Sequence, residues 1–119
     1  MTRVLRIDVD GVASMHNPAP GDLRAWQDLV GGFVELIFGP GWYGYVNEDG
    51  IHERLAPNPV ASILVRNTGG LGYGVLVGPV LFFGPADEDG EPTDLPEFLL
   101  VDAAVLLAAS GAVIPDGAS

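Results

Sequence analysis

LVGGFVELIFGPGWYGYVNEDG, residues 29–50, decides the fold class. Gly31 and Gly32 stop a helix that arrives from the N-terminal side. The run Phe33 to Phe38 then has the β-branched and aromatic content of a strand. Gly39-Pro40-Gly41 makes a turn, and Trp42 to Asn47, with three aromatic residues, returns as the partner strand. Asn47-Glu48-Asp49-Gly50 is a second turn. A central hairpin fed by a helix is the expectation.

Working outward, Arg3 to Val9 reads as a strand that turns at Asp10-Gly11 and comes back over Val12 to Met15, a pair placed at a sheet edge. Asn17 to Gly21 breaks the pattern, and Asp22 caps a helix through Val30 whose apolar side carries Leu23, Trp26 and Val30. Downstream, Ile51 to Glu53 is read as a short resumed strand. Asn58, set between Pro57 and Pro59, is read as the cap of a short helix with Pro59 in its first turn and the apolar run Val60 to Val65 ending at Arg66, although the β-branched residues of that run also permit a strand. Gly69 to Gly72 is a loop. Gly74 to Phe83 is a nearly continuous apolar strand broken at Gly78-Pro79, where a bulge or edge is expected because proline cannot donate to a ladder. After the acidic loop Asp87 to Glu91, Asp94 and Glu97 form a capping-box-like start to a helix reaching about Ala109. The whole is an α+β class chain: one domain over residues 1–119, a mainly antiparallel sheet containing 33–38, 42–47 and 75–83, two or three short covering helices, and a tail at 110–119.

Composition limits function. The chain has 119 residues, 48% of them hydrophobic, which suits one core and hardly two. Sixteen acidic residues against five basic ones give a net charge of −11, and all the basic residues are arginine, scattered along the chain. Such a chain is repelled by nucleic-acid phosphates and by anionic membranes, so neither is an expected partner. The missing lysine, with 17 glycines and 10 prolines, reads as GC-rich codon usage. Zero cysteine removes disulfides, thiolate nucleophiles and cysteine metal sites. With no signal-like start and no apolar run of about 20 residues, a cytoplasmic protein is expected.

Four blocks, LVGGFVELI at 29–37, NEDG at 47–50, APNPVAS at 56–62 and VLVGPVLFFG at 75–84, together resemble the domain-of-unknown-function family numbered 3846, over about residues 22–101. That family is a small domain met in bacteriophages, plasmids and actinobacteria. The resemblance implies an accessory protein of phage or mobile-element type and carries over no activity. Similar members often carry an acidic residue where Pro79 stands here.

Chemical candidates are few. Glu48, Asp49, His52 and Glu53 lie close in sequence, but without the spacing of a known ligand set, so no metal is assigned. Asp87, Asp89 and Glu91 follow the odd positions of a calcium loop, yet Phe98 falls where its bidentate glutamate belongs. Gly69 to Gly74 leads into a strand instead of a helix N-terminus, so it lacks the dipole that would cradle a phosphate, and no cofactor is expected. Glu35 is either a buried acid or a water-facing strand residue. Two functional classes survive. The preferred one is binding to another protein through the acidic surface or the apolar last helix. The alternative is a small enzyme or ligand-binding domain using Glu35, Glu48, His52 and Asn58, should the fold gather them. Self-association through Phe98, Leu99, Asp102 and Leu106 of the last helix is a further expectation, because that helix is apolar around more than one face.

Overall fold

The computed structural model describes residues 2–19 and 21–109, so the tail with Val113 and Ile114 lies outside the described residues. Eight elements follow in order: β1 (Val4–Ile7), β2 (Ala13–His16), α1 (Leu23–Val30), β3 (Val34–Gly39), β4 (Trp42–Asn47), α2 (Pro59–Asn67), β5 (Val80–Phe83) and α3 (Glu97–Ala109). The strands form one five-stranded antiparallel sheet in the order β2-β1-β5-β4-β3. The α+β class read from the sequence therefore holds.

Each hairpin is local. β1 and β2 pair from Val4 opposite His16 to Ile7 opposite Ala13, and Asp10 accepts from the Val12 N–H to shape their turn. β3 and β4 pair from Val34 opposite Asn47 to Gly39 opposite Trp42. β5 then inserts between the two hairpins, pairing with β1 on one side and β4 on the other. A strand covered on both faces and paired on both edges is apolar at every position, and Val80, Leu81, Phe82 and Phe83 are all buried.

Helices cover both faces. On one, α1 places Trp26 and Val30 against Val4, Leu81 and Phe83, and Trp26 meets Phe83 edge-on with ring centres 5.0 Å apart. Asp22 caps α1 by accepting from the Ala25 N–H, as expected, while Arg6 Nε donates to the Leu29 carbonyl near the helix end at 2.9 Å. On the other face, α2 and α3 cover Leu5, Ile7, Ile37, Trp42, Val46, Val80 and Phe82 with Leu64, Val65, Leu99, Ala103 and Leu107.

Several expectations need correction. The late strand begins at Val80, and residues 76–78 leave the sheet to pair with 56–58: Asn58 N–H donates to the Leu76 carbonyl, Gly78 N–H to that of Ala56, and Pro57 bridges Val77. Pro79, which has no N–H, stands at the switch. Ile51 to Glu53 forms a turn instead of a strand. Asp94 does not cap α3; its Oδ1 accepts from Arg3 N–H at 2.8 Å and ties the approach to α3 onto the start of β1. In α3, Leu99 is fully buried at the spacing of Ala103 and Leu107, and Leu106 is half-buried against the same core. The water-facing strip of this helix is instead Phe98, Val101, Asp102 and Val105. An apolar helix with no polar face has no preferred side in its sequence; α2 and the sheet chose one for it.

Candidate functional site

The strand order leaves β3 at an edge of the sheet. Glu48 N–H donates to the Phe33 carbonyl at 2.8 Å. Since ladder bonds alternate along an antiparallel pair, Glu35 and Ile37 also bond inward to β4, and Val34, Leu36 and Phe38 turn their N–H and C=O groups outward. The Phe38 N–H is indeed taken from outside, by the Tyr73 hydroxyl at 3.0 Å. Beyond the pairing with β4, no backbone partner is found for Val34 or Leu36 among the described residues.

Side chains on β3 alternate between the two faces. Val34, Leu36 and Phe38 share the α1 face with Tyr43 and Tyr45, whereas Glu35 and Ile37 share the opposite face with Val46 and Trp42. Behind the edge on that second face lies a hollow of about 200 Å³ lined by Glu35, Ile37, Glu48, Ile51, Tyr73 and Val75, with Leu76 and Val77 at its back. Both glutamates are exposed, and neither makes an ion pair; Arg6 with Asp8, 3.1 Å apart, is the pair seen among the described residues.

Tyr73 reaches the edge because the chain runs Gly72-Tyr73-Gly74, with φ of +88° and +65° at the two glycines. A side chain at either would be strained there, so glycine on both sides is what lets the loop carry Tyr73 back over β3. Leu71 and Val75 on the same loop are exposed, as are Phe33, Leu36, Phe38 and Ile51 around it. These six are half of the large apolar side chains exposed among the described residues, and they surround one strand.

Of the four residues proposed as a polar site, the fold brings only Glu35 and Glu48 to one hollow. His52 sits on the exposed 51–54 turn and does not line it. Asn58 is fully buried with its amide in use: Oδ1 accepts from Ala61 N–H, and Nδ2 donates to the carbonyls of Ile7 and Gly78. Its cap role was legible in the sequence; its other two bonds were not. Tyr73 was missed, and its one signal was a large aromatic residue between two glycines.

Other hollows offer less. One of about 610 Å³ is lined by Arg24, Asp28, Asn47, Asp49 and Glu53, but Asn47 is engaged there with the Val30 carbonyl, Glu53 and the Asp49 N–H. An apolar groove of about 480 Å³ runs along α2 past Pro57, Ile63, Arg66 and Leu71 to Val75, where it joins the same loop. In the acidic loop, Asp87 accepts from the N–H groups of Asp89 and Glu91, so this carboxylate folds the loop on itself. Burial first, then Glu91, push the Tyr45 hydroxyl above its usual range. Among the described residues no three His, Asp or Glu side chains form a metal-sized group, and no helix is long and apolar enough to cross a membrane.

At the opposite edge of the sheet, His16 lies 2.8 Å from the Ser14 hydroxyl. Burial, and then the Arg6 guanidinium, hold its imidazole below the ordinary 6.5. The unfolded chain therefore binds a proton at this residue before the folded one does, and stability falls as pH drops through about 6.5. Between about pH 7.5 and 5.5, above the carboxylate range, the melting temperature is expected to fall, and His16→Gln to flatten part of that fall. An unchanged slope in the variant would assign the dependence elsewhere.

Neither a curated protein nor a solved structure matches the chain. A family model does match, over residues 1–106, which takes in every strand, the edge of β3 and the Tyr73 loop, and extends the likeness beyond the 22–101 core seen in the sequence. The chain thus belongs to the family described as Domain of unknown function (DUF3846).

Proposed function

We propose that this protein works by binding another protein, as an accessory factor of phage or mobile-element type, and that the binding face is built around β3. One observation carries the binding part: the concentration of exposed Phe33, Leu36, Phe38, Ile51, Leu71 and Val75 around a single strand. Exposed apolar side chains are ordinary when scattered; gathered beside acidic groups at a sheet edge, they make the apolar centre and polar rim of a docking surface. The accessory role is taken from the family resemblance. A catalytic reading has less support, since Asn58 is used up in the core and His52 stands apart from Glu35 and Glu48.

Affinity capture from a lysate of the source cells tests this. Leu36→Asp and Val75→Asp are each expected to lower capture of the partner by about tenfold or more, the scale of a centrally placed contact. Val12→Asp, at an exposed apolar residue next to β2, serves as the control and is expected to capture normally. Equal capture by all three variants, each shown to be folded, overturns the reading.

A further inference from the structure

We propose that the edge of β3 accepts an extended segment of the partner protein as a sixth strand, and that this segment places a basic residue opposite Glu35, flanked by apolar residues opposite Val34 and Leu36. The inference rests on the protein-binding reading above and specifies its chemistry.

Backbone groups supply the docking rail. Val34 and Leu36 each present one outward N–H and one outward C=O at an edge that is unpaired among the described residues, which is the geometry that strand addition uses. The next outward position, Phe38, is closed by the Tyr73 hydroxyl, so the added strand runs along Val34 to Leu36 and ends short of Tyr73. Natural sheets guard such edges with charges, prolines or bulges; β3 has one charge, Glu35, and no proline or bulge.

Side-chain alternation specifies the segment. Residues opposite each other in adjacent strands share a face. A residue opposite Glu35 would stand over the hollow that Glu35 shares with Glu48, where two carboxylates have no cation among the described residues. A lysine or arginine there complements Glu35 directly, and Glu48 adds to the negative field of that face. Its two neighbours turn to the α1 face, where Val34, Leu36 and the Tyr45 ring form an apolar strip.

A second copy of this chain fits poorly. Of the antiparallel registers that leave Tyr73 in place, the one that stays within β3 pairs Val34 with Leu36 and sets the two copies' Glu35 side chains opposite each other, a destabilising like-charge pair. The one centred on Val34 pairs Leu36 with Gly32, which lies outside β3 and whose N–H is already held by the Gln27 carbonyl. The register centred on Leu36 avoids that contact but needs the Phe38 N–H that Tyr73 already holds. Two chains of net charge −11 would also have to approach.

The test uses the whole protein and a synthetic peptide of alternating valine and arginine with blocked ends, followed by amide NMR at millimolar peptide. Binding is expected to shift the Val34 and Leu36 amides and slow their exchange, leaving Val12 unaffected. A peptide with glutamate in place of arginine should bind about five- to tenfold more weakly, and Glu35→Arg should invert that preference. Peptide binding without protection of Val34 and Leu36, or with no inversion in Glu35→Arg, overturns the proposal. So does a concentration-dependent dimer mass abolished by Leu36→Lys, which would give the edge to a second copy. If no peptide binds while lysate capture still depends on Leu36 and Val75, strand addition fails and the protein-binding reading stands; if capture is indifferent to those residues as well, both fail.

Discussion

Asn58→Ala is expected to lower the unfolding free energy by about 2–4 kcal/mol, summing a lost helix cap, a buried Gly78 carbonyl that loses this donor, and a weaker loss at the Ile7 carbonyl, which still faces Val80 in the ladder. The side chain is fully buried and makes three hydrogen bonds of 2.9–3.1 Å: from Ala61 N–H to its Oδ1, and from its Nδ2 to the carbonyls of Ile7 and Gly78. Those bonds join the end of β1, the start of α2 and the turn before β5, none of which are neighbours in sequence. Set against a typical stability of about 5–15 kcal/mol, the variant stands near the threshold of folding. Asn58→Asp is the sharper probe. A carboxylate keeps the acceptor for Ala61 but offers no donor, and it sets a negative charge against two carbonyl oxygens. It should therefore be worse than alanine at neutral pH and recover part of the loss under acid, where protonation restores one donor. Urea unfolding midpoints decide the matter. A loss under about 1 kcal/mol in Asn58→Ala would mean that water enters and satisfies the Gly78 carbonyl.

Trp42→Ala should cost a similar about 3–5 kcal/mol, for a different reason: it opens a cavity where the sheet meets α2. The indole is fully buried and packs against Phe82, ring centres 5.7 Å apart. It lies so close over Gly39 that a Cβ there would collide with it, and a Cβ at Gly70 would come within 3.0 Å of it. Its Nε1 donates to the Thr68 carbonyl at 2.9 Å, just beyond the last turn of α2. Trp42→Phe keeps most of the apolar volume and gives up that bond, so a smaller loss of about 1–2 kcal/mol is expected. Calorimetric unfolding of both variants separates the two contributions. Equal losses would show that the hydrogen bond, and not the volume, dominates at this position.

Much of the fold was legible because it is local. Asp22 and Asn58 announce α1 and α2 by placing a capping side chain three residues before the N–H it serves. Gly39-Pro40-Gly41 between two β-prone runs announces the central hairpin, and Asp10-Gly11 the first one. Where local signals competed with long-range ones, reading along the chain erred. Residues 75–79 are as apolar as the strand they precede, yet residues 56–58, nearly 20 positions away, take 76–78 out of the sheet. Asp94 has the spacing of a cap, and the Arg3 N–H claims it instead.

The candidate site shows the same division. That β3 is a strand, with Glu35 on one face and Val34 and Leu36 on the other, follows from period-two alternation and stands in the sequence alone. That β3 is an edge does not: it depends on β5 inserting between β1 and β4 instead of pairing outside β3. Tyr73 on the Phe38 N–H, Glu48 beside Glu35, the two carbonyls on Asn58 and the buried side of α3 all arise likewise from contacts between segments far apart along the chain. Capping, turn and alternation rules act over two to four residues, so the sequence could carry those features by itself. Strand order and the burial of an evenly apolar helix are settled by which assembly removes most apolar surface from water, a property of the whole chain that only the tertiary structure decides.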